Sequence, residues 1–150
     1  GVDEAAICRE LCMSFDELKS FANEPMVGIG AHSVTHCNLA SQPAEVASQE
    51  MATSRQRIED VLQRPVVHLA YPYGDRFAAG RREFALAKAA GFKTAVTTRP
   101  GMIFPESAGY LTALPRVSLN GNYQDKRILP VLTSGAATAM WNGFRRVDAA

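Results

Sequence analysis

Two histidines four residues apart, His32 and His36, close the stretch Gly28-Ile29-Gly30-Ala31-His32-Ser33-Val34-Thr35-His36, with hydroxyl residues between them. Imidazole is the commonest metal ligand near neutral pH. A catalytic zinc takes three protein ligands and keeps a fourth position open for water. The pair would supply two of those three, leaving a carboxylate to be found. Taken alone, this spacing divides evenly between a shared metal ion and two unrelated polar histidines.

The elements around the pair decide how it is presented. Residues from about Asp3 to Met13 read as a helix, with Ala6, Ile7, Leu11 and Met13 among charges. Ser14-Phe15-Asp16-Glu17 is a capping box, and the helix it opens should bury Phe15, Leu18 and Phe21 and end before Pro25. Met26 to Ala31 reads as a strand with the histidines at its carboxyl end. Ser41-Gln42-Pro43 opens the clearest helix, with Pro43 suited to the first helical position. Ala47, Met51, Ile58 and Val61 or Leu62 mark its buried face. Val66 to Tyr71 is a strand by its branched and aromatic content, ended by the turn Tyr71-Pro72-Tyr73-Gly74-Asp75. A helix over Arg81 to Ala90 stops at Gly91. Strands follow over Phe92 to Thr98 and Leu114 to Leu119, then a turn at Asn120 to Asn122. Helices over about Tyr123 to Thr133 and Ala136 to Phe144 complete the chain.

This alternation predicts a parallel sheet with crossover helices. In such folds function collects at the carboxyl ends of strands. Those ends carry His32 and His36, then Tyr71 to Asp75, Thr97 to Arg99, and Asn120, and that coincidence favours the metal reading.

The 150 residues suit a single domain over 1–150 with a real core. Sixteen basic against fifteen acidic side chains, with no long basic block, give no nucleic-acid footprint. The apolar runs are too short to span a bilayer. Cys8, Cys12 and Cys37 are an odd number without a CxxC pair, which argues against a disulfide framework and leans towards a reducing compartment. Cys37 follows His36 directly, and adjacent side chains in extended backbone point apart, so it reads as a packing residue. His68, in mid-strand, reads as a satisfied structural histidine, and Trp141 as a packing residue or a sugar-stacking face.

With His-Ser-Val-Thr-His after one strand and Tyr-Pro-Tyr-Gly-Asp after the next, the chain resembles the polysaccharide deacetylases of carbohydrate esterase family four. His32, Ser33, Thr35 and His36 meet the H-[S/T]-x-x-H motif, and Pro72, Tyr73 and Gly74 meet the P-Y-G element. The resemblance runs from about Ser14 to Asn120. It implies a distorted (β/α) barrel, incomplete at its amino-terminal end, with a sugar groove across the carboxyl face. The implied activity is metal-dependent removal of acetyl groups from N-acetylated glycans: chitooligosaccharide, peptidoglycan or exopolysaccharide. His32 and His36 would ligate zinc or a similar divalent ion, and the Tyr73 backbone amide would hold the oxyanion. Pro72, Asp75 and Arg116 would line the substrate groove, with Arg99 or Arg116 serving in place of the arginine that usually precedes P-Y-G. Asp75 reads equally as a cap on the following helix. The family's substrates imply the cell envelope or the exterior, against the inward-pointing cysteines.

The sequence also departs from the pattern. No T-F-D-D motif, source of the base and third ligand, is present, and the nearest acidic pair is Glu59-Asp60 in the long helix. No histidine follows His68 to match the family's L-x-x-H acid, and Ala70 stands where an arginine usually precedes P-Y-G. The expectation is that residues 1–150 are the later part of a longer protein, with little turnover alone. The alternative is a non-catalytic glycan- or metal-binding module derived from the same fold.

Overall fold

The computed structural model describes residues 3–146. Helix α1 spans Glu4–Leu11 and α2 spans Phe15–Ala22. The capping box between them forms in full: the Ser14 hydroxyl accepts from the Glu17 amide at 3.2 Å, and the Glu17 carboxylate accepts from the Ser14 amide at 2.7 Å. The expected apolar face of α2 is not buried. Only Ala22 is enclosed, while Phe15 and Phe21 stay exposed. The helix touches α3 (Ala44–Leu62), and no described element covers its aromatic side.

The strand expected over Met26 to Ala31 is a single parallel bridge, Ala31 to Leu69. The Ala31 amide donates to the His68 carbonyl at 2.8 Å, and the Ala31 carbonyl accepts from Ala70 at 2.9 Å. A ladder needs a neighbour along its whole length, and this segment meets β1 (His68–Ala70) only at its last residue. Gly30 makes that approach possible, because a Cβ there would sit 3.0 Å from the His68 carbonyl oxygen.

Helix α3 carries the expected Ala47 and Met51 on its buried face, joined by Ser54, with Ile58 packed partly beneath them. Pro43 stands at the N-cap rather than the first helical position. Helix α4 (Arg81–Ala89) then links β1 to β2 (Thr94–Pro100), and β3 (Leu114–Arg116) follows. All three strands are parallel in the order β1-β2-β3, pairing Leu69 with Ala95 and Val96 with Leu114. Among the described residues the sheet does not close, and they form an open part of the expected barrel.

Between the β2–β3 pairs Val96–Leu114 and Pro100–Arg116 the register slips. The Thr97 hydroxyl stitches the irregularity by donating to the Leu114 carbonyl at 3.1 Å. A bulge of this kind re-aims the strand at the rim of a sheet. The core lies between the sheet and the α3–α4 layer, around Leu39, Met51, Val66, Leu69, Tyr71 and Phe84. Arg82 locks that layer, donating to the Leu39 and Gln42 carbonyls at 2.9 Å each and pairing with the buried Glu83 carboxylate at 2.6 Å. Helices α5 (Ile128–Thr133) and α6 (Ala136–Trp141) are shorter than the sequence suggests, and Trp141 is 79% exposed rather than packed.

Candidate metal centre

The histidine loop is held from the helix side. Glu50, on α3, accepts from the consecutive amides of Val34 and Thr35 at 2.8 and 2.9 Å. Partial burial works to raise the Glu50 pKa, but the Thr35 and Val34 amides, the Thr35 hydroxyl and the nearby Arg57 charge outweigh it and hold the carboxyl below its ordinary value. One turn along the same helix, the Ser54 hydroxyl accepts from the His32 amide at 3.3 Å. The Ser33 hydroxyl closes the loop by accepting from the His36 amide at 3.0 Å. Ser33 and His36 both adopt left-handed backbone, with φ of 64° and 55°. Such conformations persist where surrounding contacts impose them.

The second half of the site hangs from the sheet. Tyr73 is left-handed at φ 60° and Gly74 at φ 67°, with the Gly74 amide turned back onto the Pro72 carbonyl at 2.6 Å. Thr98, beside the β2 bulge, fixes this turn twice. Its hydroxyl donates to the Tyr73 carbonyl at 2.6 Å and its amide to the Gly74 carbonyl at 3.0 Å. Gly74 also needs its missing side chain, since a Cβ would meet the Thr98 nitrogen at 2.8 Å.

The two halves meet at the imidazoles. The rings of His32 and His36 lie edge to face with centroids 4.9 Å apart, and the Tyr73 ring lies 4.9 Å beyond His36. Both histidines are exposed at this surface. His32 Nδ1 donates to the Ala70 carbonyl at 2.7 Å, so the neutral ring presents the Nε2 lone pair outward. A tetrahedral zinc about 2.1 Å from one nitrogen of each imidazole would place the ring centroids roughly 5 Å apart. The pair therefore fits two ligand positions. Among the described residues, no group of three His, Cys, Asp or Glu side chains completes a metal site.

Other residues singled out in the sequence fall around this centre in different ways. Pro72 is fully buried and shapes the turn rather than presenting a surface. Asp75 caps the turn that follows, accepting from the Phe77 and Ala78 amides at 2.8 and 2.9 Å. Arg116 is exposed at the end of β3 and donates through Nε to the Thr97 carbonyl at 2.9 Å. Arg99, the other arginine offered for the groove, is instead 5% exposed, bonded to the Ala79 carbonyl and set over the Phe84 ring at 5.3 Å. Cys37 packs against the core, and His68 bonds its cross-strand neighbour Thr94 at 2.7 Å. Tyr71 donates its hydroxyl to the Thr112 carbonyl, and burial, followed by the Glu83 charge, pushes its pKa up and keeps it neutral. Sequence reasoning missed Glu50 and Ser54; their i, i+4 spacing beside Met51 on the buried side of α3 was the available signal.

The polysaccharide deacetylase family model matches residues 7–95, a stretch that contains both the histidine loop and the Tyr73 turn. The chain belongs to the polysaccharide deacetylase family. Solved structures share the fold of this deacetylase-family chain. The Streptococcus pyogenes deacetylase PplD, in complex with acetate, superposes with a TM-score of 0.70 at 22% identity, over 80% of this chain and 50% of that one. The deacetylase domain of BpsB from Bordetella bronchiseptica gives 0.61 at 20% identity, over 69% and 48%. BC0361, a polysaccharide deacetylase from Bacillus cereus, gives 0.59 at 24% identity, over 69% and 31%. The chain thus spans half or less of the length of these structures. Among curated proteins, none matches the chain.

Proposed function

We propose that this chain carries the metal-binding half of a hydrolase that removes acetyl groups from N-acetylated glycans. The observation that supports it most is the mutual placement of His32 and His36, with His32 Nδ1 occupied by the Ala70 carbonyl. His32 and His36 would hold a divalent ion such as zinc, which when bound lowers the pKa of a coordinated water and polarises the acetamide carbonyl. The chain's own residues do the positioning. Glu50 and Ser54 keep the imidazoles in register, and Thr98 fixes the Tyr73 turn beside them. The Tyr73 amide would donate to the oxygen of the tetrahedral intermediate, a contact of the kind that most stabilises developing charge in acyl transfer. A carboxylate from outside the described residues would serve as third ligand and base. Residues 1–150 alone should then bind zinc weakly and turn over little.

The test is zinc calorimetry on this chain beside a His32→Ala, His36→Ala double variant, followed by acetate release from N-acetylglucosamine oligomers. One-to-one binding abolished in the double variant supports the reading. Both side chains are exposed, so the variant should keep its fold to within about 0.5 kcal/mol. A folded chain that ignores zinc would turn the assignment towards a non-catalytic glycan-binding module.

A further inference from the structure

His32 and His36 are assigned to the same ion, yet the structure secures their rings by different means. His32 is held by a hydrogen bond, from Nδ1 to the Ala70 carbonyl. Among the described residues, no hydrogen bond reaches either ring nitrogen of His36. Its backbone is fixed, at φ 55° with the amide on the Ser33 hydroxyl, but the residue is exposed. The last torsion of a histidine side chain has only a broad preference, so a fixed backbone does not set the plane of the imidazole.

Ring contacts take over that task. The His36 imidazole has His32 as one neighbour and Tyr73 as another, each with centroids 4.9 Å away and planes inclined by 70° and 68°. These values lie in the edge-to-face range that aromatic pairs prefer. Of the two neighbours, Tyr73 is anchored to the sheet. Its carbonyl accepts from the Thr98 hydroxyl at 2.6 Å, and the next carbonyl, of Gly74, accepts from the Thr98 amide at 3.0 Å. The direction in which its side chain leaves the backbone is therefore set by β2.

The residue type is informative as well. Tyr73 sits at φ 60°, where glycine is at ease and a bulky side chain is an outlier. Glycine would supply the same main-chain amide for the oxyanion, so the aromatic side chain needs a reason of its own. Core packing is not that reason, because the side chain is 57% exposed. Nor is its hydroxyl, which makes no hydrogen bond among the described residues.

We propose that the Tyr73 ring is the positioning group for His36, fixing the plane of that imidazole by edge-to-face contact as the Ala70 carbonyl fixes His32. This rests on the metal reading above and deepens it by giving the second ligand its support.

The experiment compares the chain with Tyr73→Phe and Tyr73→Leu, each checked for fold by circular dichroism. Both variants place a side chain at the same left-handed position, so a difference between them belongs to the ring. The first readout is the NMR spectrum of the histidine ring protons in the zinc-free chain at about pH 8, where an ordinary imidazole is neutral. The expected result is a ring-current displacement of the His36 resonances that persists in Tyr73→Phe. In Tyr73→Leu they should move towards the positions of an unstructured peptide, and those of His32 should move less. The second readout is zinc affinity by calorimetry. Tyr73→Leu should bind about ten-fold more weakly, and Tyr73→Phe within about two-fold of the native chain. His36 resonances indifferent to the leucine change overturn the proposal, as does a phenylalanine variant that behaves like the leucine one. A native chain that ignores zinc but shows the ring-dependent His36 displacement retains the positioning contact and removes the deacetylase assignment. Zinc binding that is equally tight in Tyr73→Leu does the reverse.

Discussion

His32 donates its Nδ1 proton to the carbonyl oxygen of Ala70 at 2.7 Å, so a strand end chooses which nitrogen of the imidazole faces outward. That carbonyl belongs to the last residue of β1, whose amide already bonds back to Ala31. Ring and backbone are therefore laced at one spot. Such outer contacts fix both the tautomer and the orientation of a ligating histidine. Ala70 stands where the family pattern usually has an arginine, and the contribution it makes is through its main chain, which any residue could supply.

The grip of Glu50 on Val34 and Thr35 should be measurable as stability and as metal affinity. Glu50→Ala leaves two amides without their charged acceptor and should cost about 1 kcal/mol, a figure discounted for partial exposure. It should also weaken zinc binding, while Glu50→Gln retains part of both. The pH dependence has a definite sign. Because the folded-state pKa is lowered from 4.5, the contribution is complete above the unfolded value and disappears as pH falls through the folded one. The melting temperatures of the native chain and of Glu50→Gln should therefore differ near neutrality and converge as pH falls below 4.5 and through the lowered folded value. A constant gap across that range would assign the effect to packing.

Gly74→Ala tests the turn. The new methyl would meet the Thr98 backbone nitrogen at 2.8 Å in a residue held at φ 67°. Left-handed backbone with a Cβ costs about 1 kcal/mol, and the clash adds to it. Urea denaturation should show a loss of about 2 kcal/mol, with the hydrogen bonds from Thr98 the first to suffer. An unchanged midpoint would mean that the turn relaxes freely and that its geometry is not enforced by β2.

Arg82→Met removes the cation beside a buried carboxylate and the donors to two loop carbonyls. Breaking one partner of a buried pair leaves the other uncompensated. The half-exposed arginine moderates this, and the expected loss is about 2 kcal/mol by thermal or chemical unfolding. Glu83 also accepts from the Gly80 amide, so Glu83→Gln should cost less than the arginine change. The reverse order would place the energy in the helix cap rather than the ion pair.

Much of this organisation could be read from residue patterns because it is local. The Ser14–Glu17 capping box, the α3 periodicity and the turn around Gly74 each depend on neighbours a few positions apart. Met26 to Ala31 failed as a strand because pairing depends on a partner segment, which sequence periodicity does not record. Phe15, Phe21 and Trp141 look like core residues by type, yet each lies on a helix side that no described element covers. Arg99 misled in the opposite sense, since a cation was expected at the surface and the structure places it over an aromatic ring inside. Glu50 and Ser54 went unnoticed because polar residues that serve a backbone loop are of the same types as those that serve solvent, and only their spacing beside Met51 set them apart.

The two halves of the centre have different landlords. The histidine loop leans on α3, through Glu50 and Ser54, and on the end of β1, through Ala70, whereas the Tyr73 turn belongs to β2, through Thr98. The site is a seam between a helix layer and a sheet, and a seam can part while both fabrics stay whole. The His32 bond to the Ala70 carbonyl is a stitch across it, so a shift of α3 against the sheet would be felt first at that ring.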